Sequence, residues 1–330
     1  MKDLLQQLLQ VWGPSGYEHH VRALIADTVR EFVDELRVDP LGNLICRVGS
    51  GGKRVMVAAH MDEIGVMASY QEPNSGFLHF ESVGGLIQSS LFGSRVQFED
   101  GTIGVIGVHD QWGDGRTKTP DVSNFFIDIS DGGENRFAVG QPGRFYAPMG
   151  FRGELAYGRA MDDRVGCLVA IEALRKLNKQ VANEVYVVFT VQEEVGVRGA
   201  KAATAGVMPE IGIALDVTAT GDTPRGLKMT VELGKGTAIK VKDLGLIVPP
   251  QVIAWMEQTA QANSIPYQLE VLPMGQTDAA AIHTSLAGIP SGCISIPCRY
   301  VHTDVETVDL RDVQASINLL VALLANPITL

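Results

Sequence analysis

Apolar residues at Leu4, Leu5, Leu8, Leu9 and Val11 follow the three-to-four spacing of one helix face, so residues 2–11 read as an amphipathic helix. A turn at Gly13-Pro14-Ser15-Gly16 ends it. Ser15, with Glu18 three residues on, has the form of a capping box that opens a second helix through Val21, Leu24, Ile25 and Val29. The run 53–59 is short, apolar and flanked by glycine, which predicts a buried strand ending at His60. From 66 to 152 the pattern changes to short β-like runs at 76–80, 95–98 and 102–107, separated by turn residues. That spacing predicts a small all-β unit of barrel-like form. After 153 the two periods alternate again, with helices expected over 164–177, 250–263, 278–287 and 311–325 and strands over 184–190, 211–215 and 293–296. Strand and helix alternating around an all-β insertion predict an α/β sandwich carrying a satellite domain. Residues 1–65 and 153–330 would form the main unit, and 66–152 the insertion.

Composition narrows the function classes. The 330 residues carry 27 Lys and Arg against 38 Asp and Glu, so 27 − 38 gives a formal charge of −11. No basic run offers a footprint for nucleic acid. At 45% apolar and 20% charged the chain is of the globular type. It has no run of about 20 apolar residues for a membrane span, and its polar start is unlike a signal peptide. Cys46, Cys167, Cys293 and Cys298 lie in apolar surroundings without Cys-x-x-Cys spacing, as buried thiols of a cytoplasmic protein do.

Acidic and imidazole side chains sit at the ends of the apolar runs, the edge where open α/β sheets build their sites. They are His60 with Asp62, Asp162 with Asp163, Glu193 with Glu194, Asp216, and His302. Singly, each has a bland reading. A lone His after a strand is usually structural, and Asp162-Asp163 suits a helix N-terminus. Together, buried strand ends would crowd groups that repel strongly at low dielectric, and divalent cations relieve that repulsion. Nitrogen and carboxylate donors without cysteine fit zinc, cobalt or manganese and are unlike a calcium loop. His19, His20, His79 and His109 take surface readings, and His283 a core or supporting one.

The ordered segments Ala-His-Met-Asp-Glu-Ile-Gly (59–65), Gly-Arg-Ala-Met-Asp-Asp-Arg-Val-Gly (158–166), Gln-Glu-Glu-Val-Gly-Val-Arg-Gly-Ala (192–200), Ala-Leu-Asp-Val-Thr (214–218) and Arg-Tyr-Val-His-Thr-Asp-Val-Glu (299–306) resemble the dinuclear metalloaminopeptidases. That family includes glutamyl, deblocking and tetrahedral (TET) aminopeptidases, with some relatives labelled endoglucanases. The resemblance runs nearly end to end. It departs at Gly275-Gln276-Thr277-Asp278, at Thr303-Asp304 and at Leu86, which bear on the substrate pocket and subunit contacts.

The resemblance implies a phosphorylase/hydrolase-like α/β/α sandwich with an inserted small β-barrel-like domain. It implies two divalent metal ions, His60 and Asp216 on one, Glu194 and His302 on the other, with Asp162 bridging. Glu193 would be the general base, and Asp62 would support His60 from behind. It implies a cis bond between Asp162 and Asp163. The expected activity is removal of N-terminal residues from short peptides with a free N-terminus. The insertion would assemble subunits without taking part in catalysis, giving a dimer or a tetrahedral dodecamer. A metal-dependent amidase or deacylase, an endoglucanase-type glycoside hydrolase and a non-catalytic scaffold are the rival readings. Side-chain preference and the roles of Arg198 and Arg225 stay open.

Overall fold

A computed structural model describes residues 1–110, 120–130 and 137–330. The chain opens with α1 (Lys2–Gln10) and α2 (His19–Val29), then β1 (Glu35–Val38), β2 (Leu44–Val48) and β3 (Arg54–His60). It leaves for a second unit of β4 (Gly65–Gln71), β5 (Phe77–Val83), the helical turn α3 (Gln88–Leu91), β6 (Arg95–Phe98), β7 (Ile103–Val108), β8 (Phe125–Asp128) and β9 (Pro142–Phe145). The return is made by β10 (Gly150–Arg152), β11 (Leu155–Gly158), α4 (Met161–Leu177), β12 (Glu184–Thr190), α5 (Arg198–Val207), β13 (Ile211–Thr218) and β14 (Thr237–Lys242). The chain ends through α6 (Pro250–Ala262), β15 (Tyr267–Val271), α7 (Asp278–Thr284), β16 (Ser291–Arg299), β17 (Glu306–Asp309) and α8 (Leu310–Ala325).

The large sheet runs β1-β2-β12-β3-β13-β16-β17-β11-β10, with β14 and β15 branching from β16. Its centre, β12, β3, β13 and β16, is parallel. Parallel strands covered on both faces read as continuous apolar runs, and β13 is buried at every position. Two apolar clusters fill the two faces. Helices α1, α2, α4, α6 and α8 close the larger one, and α5 with α7 the smaller. The fold is therefore an α/β/α sandwich. The inserted unit closes as β4-β5-β8-β7-β6-β9, a six-stranded barrel. Alternate residues point inward, as Gly104, Ile106 and Val108 do on β7, around a core that includes Phe80, Phe98 and Phe145. Barrel strands span 65–145, and Gly150–Arg152 already pairs with the large sheet.

All four cysteines are buried and free, and burial pushes the Cys46 thiol up to about 12. Among the described residues no helix is long and apolar enough to cross a membrane. The capping box expected at Ser15 and Glu18 is absent. Helix α2 begins at His19, and its N-cap Glu18 makes no side-chain cap bond. Other partners claim both side chains. Ser15 Oγ donates to Asp62 Oδ2 at 2.6 Å, and Glu18 Oε1 accepts from the backbone N–H groups of Gly16 and Gln192. The helix expected over 278–287 stops at Thr284, where Leu286 and Gly288 turn to positive φ.

Candidate active site

Each candidate side chain stands at the carboxyl end of a central strand or where a loop returns to one. His60 ends β3, Asp216 lies near the end of β13, and Glu193-Glu194 follow β12. His302 follows β16 in a tight turn at φ 64°. Asp162 and Asp163 interrupt the first turn of α4 with non-helical φ and ψ, and the peptide bond between them is cis. The two neighbours point apart. Asp163 turns inward, accepting from the Gly166 N–H at 3.0 Å and the His60 N–H at 3.3 Å, while Asp162 faces the strand ends.

Two triads result, and they share Asp162. Its Oδ1 lies 3.0 Å from His60 Nε2, which is 4.0 Å from Asp216 Oδ1. Its Oδ2 lies 3.4 Å from His302 Nε2, which is 3.3 Å from Glu194 Oε2. In each triad the facing atoms lie within 4.8 Å of one another, a grouping fit for a metal ion. Glu193 stands beside them, 9% exposed, on the wall of a cavity of about 570 Å³ that Asp162, Glu194, Asp216 and His302 also line.

The electrostatics mark the cluster as unbalanced. Burial, with repulsion from neighbouring carboxylates, drives Glu193 and Asp216 far above the usual carboxylate range and raises Glu194. Burial acts on Asp162 in the same sense, but the two imidazoles overcome it and hold that carboxyl well below its ordinary value. Glu194 Oε1 is buried without a hydrogen-bond partner. An orphaned carboxylate oxygen amid carboxylates that cannot all ionise fits a cationic group, and two imidazoles with three carboxylates fit zinc, cobalt or manganese.

Supporting contacts fix the cluster's shape. Asp62 lies behind His60, its Oδ1 3.5 Å and its carbonyl oxygen 3.2 Å from Nδ1. The same carboxylate accepts from the backbone N–H groups of Glu193 and Glu194 at 3.0 and 3.2 Å, so one residue orients three others. Since a hydrogen bond to a charged group is worth about 1.5–3 kcal/mol, Ser15→Ala is expected to destabilise the fold by that amount, read as a lower urea midpoint at unchanged slope.

Several residues were not legible from the sequence. Glu306 accepts from the backbone N–H of Asp162 at 3.0 Å and of His302 at 2.8 Å, tying the two together. Asp278 accepts from Thr190 Oγ1 at 2.5 Å under the β12 end. The Gly85 carbonyl, from the inserted unit, lies 2.7 Å from His302 Nδ1. A Cβ at Gly85 would lie 3.0 Å from that nitrogen, so a side chain there would push the imidazole aside by a few tenths of an ångström. Gly85 and Ile87 also line the cavity, so the insertion supplies part of its wall. Arg198 bonds Gln192 on the surface, and neither it nor Arg225 lines the cavity.

The M42 glutamyl aminopeptidase model matches residues 42–319. The chain belongs to the M42 glutamyl aminopeptidase family. A protein of Acetivibrio thermocellus named as an aminopeptidase is 44% identical over 327 residues, 97% of each chain. Among solved structures, an aminopeptidase from the archaeon Desulfurococcus kamchatkensis superposes with a TM-score of 0.92 at 37% identity, over 98% of this chain and 94% of that one. The Pyrococcus horikoshii TET1 peptidase, described as assembling into a tetrahedron or a large octahedral shell, gives 0.86 at 31% identity over 98% of each chain. This M42 chain is an enzyme of the aminopeptidase class, a hydrolase acting on peptide bonds.

Proposed function

We propose that the protein is a metal-dependent aminopeptidase that removes N-terminal residues from short peptides. The observation that carries this reading is the pair of triads sharing Asp162, with Glu193 on the wall of the same cavity. His60 and Asp216 would hold one divalent ion, Glu194 and His302 a second, and Asp162 both. When bound, the ions would polarise the scissile carbonyl and lower the pKa of the attacking water. Glu193 takes the proton of that water and passes it to the leaving amine. Asp62 holds His60 in one orientation and fixes the backbone that carries Glu193 and Glu194. The free amine of a peptide start, in its neutral form, would be the group bound at the metal position left open for it, and a blocked terminus lacks that donor.

Aminoacyl chromogenic amides and their N-acetylated counterparts test this reading, each assayed with zinc, cobalt and manganese before and after chelation. Only the free-amine substrates should turn over, chelation should abolish the rate, and added metal should restore it. Equal turnover of the acetylated series would instead make the enzyme a general amidase.

The inserted barrel is proposed as the unit that joins subunits. It exposes the apolar side chains of Tyr70, Phe77, Phe92, Ile103 and Val105, which a lone subunit would leave in water. A dimer is the expected building block, and a dodecamer the closed form, because repeated symmetric contacts close around a point group. Light scattering of the metal-loaded protein should give a multiple of the 35.5 kDa chain. A monomer mass would sink the role given to the barrel, and a stable dimer would exclude the cage.

A further inference from the structure

A second cavity, of about 350 Å³, lies where the barrel meets the main unit, between the end of α1, strands β6 and β9, and the link 146–149. Arg95, Arg144 and Arg159 line it together with Tyr146. Arg144 is 8% exposed, and its donors reach only neutral acceptors. Nε and Nη2 bond the Gln97 amide oxygen at 3.1 and 2.7 Å, and Nη1 the Gln10 carbonyl at 2.9 Å. Burial, with repulsion from Arg159, holds this guanidinium down to about 10. Arg95 lies over Tyr146, 5.2 Å from the ring centroid.

Among the described residues, neither Arg95 nor Arg144 has a carboxylate within ion-pair distance. The nearby acid is Glu63, already engaged by Arg159 and Arg164. Three guanidinium groups, those of Arg144, Arg159 and Arg164, thus crowd around Glu63, in a chain whose formal charge is −11. Burying a guanidinium without a counter-charge is costly, and a well-packed neutral interior would avoid it. The two charges without an acid partner match a dianion rather than a single carboxylate. Their planar forks suit phosphate geometry.

We propose that this cavity binds a small dianionic oxyanion, inorganic phosphate or the phosphate group of a monoester. The bound anion would lie between Arg95 and Arg144 with Arg159 beside them. It would fasten the barrel, the α1 terminus and the main unit together. Arg159 stands three residues before Asp162, and its partner Glu63 follows Asp62, so the site lies one ion pair away from the candidate metal centre.

Calorimetric titration with inorganic phosphate tests this, on the metal-loaded enzyme and on the chelator-stripped protein. One phosphate should bind per chain, with similar affinity in both states, and acetate should not compete. Competition by glycerol 3-phosphate would assign the site to phosphate monoesters, and its absence to inorganic phosphate. Arg95→Gln, at an exposed side chain where folding is not at stake, should weaken binding at least tenfold, and Arg144→Gln should do the same. Peptide hydrolysis without phosphate should stay at the wild-type rate in Arg95→Gln, so loss of the anion site is separable from loss of the aminopeptidase activity. Phosphate that binds only when metal is present lies on the metals, and the proposal falls. It falls equally if Arg95→Gln binds phosphate as well as wild type, or if wild type shows no saturable binding.

Discussion

Glu193→Gln is expected to lower turnover by roughly 10²–10⁴, the usual contribution of a positioned general base, with metal content unchanged. The amide keeps the shape of the side chain and loses only its ability to take a proton. Position favours the base role over a ligand role. Glu193 lies on the cavity wall outside both triads, while its neighbour Glu194 contributes an oxygen to one of them. Backbone bonds from the two residues to the single carboxylate of Asp62 hold them in these separate orientations. Turnover of an aminoacyl amide and metal equivalents after desalting would be measured together. Loss of metal from the variant would show that the two glutamates have exchanged parts.

The second large effect is expected at Asp162. Asp162→Asn removes the one charge common to both triads, and the amide offers a single neutral acceptor where two carboxylate oxygens stood. Both ions should then be lost, with a fall in metal affinity larger than the roughly 10–100-fold cost of removing a supporting residue. Hydrolysis should drop below detection. Metal analysis after gel filtration reads the outcome directly. Two equivalents retained per chain would end the bridging assignment. His60 and His302 would both lose the carboxylate that lies 3.0 and 3.4 Å from their Nε2 atoms, so the effect should reach both sides of the cluster.

The central strands were legible because burial on both faces leaves no room for alternation. β3, β12, β13 and β16 are apolar almost throughout. Strands β14 and β15 were not, because a buried charge pair hides in them. Lys240 and Glu270 are both fully buried and pair with each other, which makes the buried β14 and its edge neighbour β15 read as polar segments. Edge strand β1 is mostly exposed and carries no pattern to find. The inserted unit was legible as β-rich, but its closure depends on β4 and β9 pairing across about 75 residues, which no local signal records.

The candidate site divides in the same way. His60, Asp162, Glu193, Glu194, Asp216 and His302 are marked by strand ends, and the structure brings them together. The parts of Ser15, Glu306 and Gly85 are set by partners far away in sequence. Ser15 looked like a helix cap because the rule weighs only Glu18, whereas its hydrogen bond goes to Asp62, 47 residues on. Glu306 bonds backbone N–H groups, one of them 144 residues away, and a carbonyl such as that of Gly85 leaves no trace in residue type.

The order in which these side chains leave the ribosome has its own effect. His60 and His302 stand at opposite ends of the ligand set, and β16, which carries the chain to His302, pairs beside β13 in the middle of the sheet. At about 5–20 residues per second, the nascent chain holds His60 for roughly 10–50 s before His302 exists. Through that interval one triad lacks its imidazole and the sheet lacks an interior strand. A chain interrupted before β16 therefore lacks one imidazole of the proposed centre, and on that reading the peptide-cleaving activity begins only once nearly the whole protein has been made.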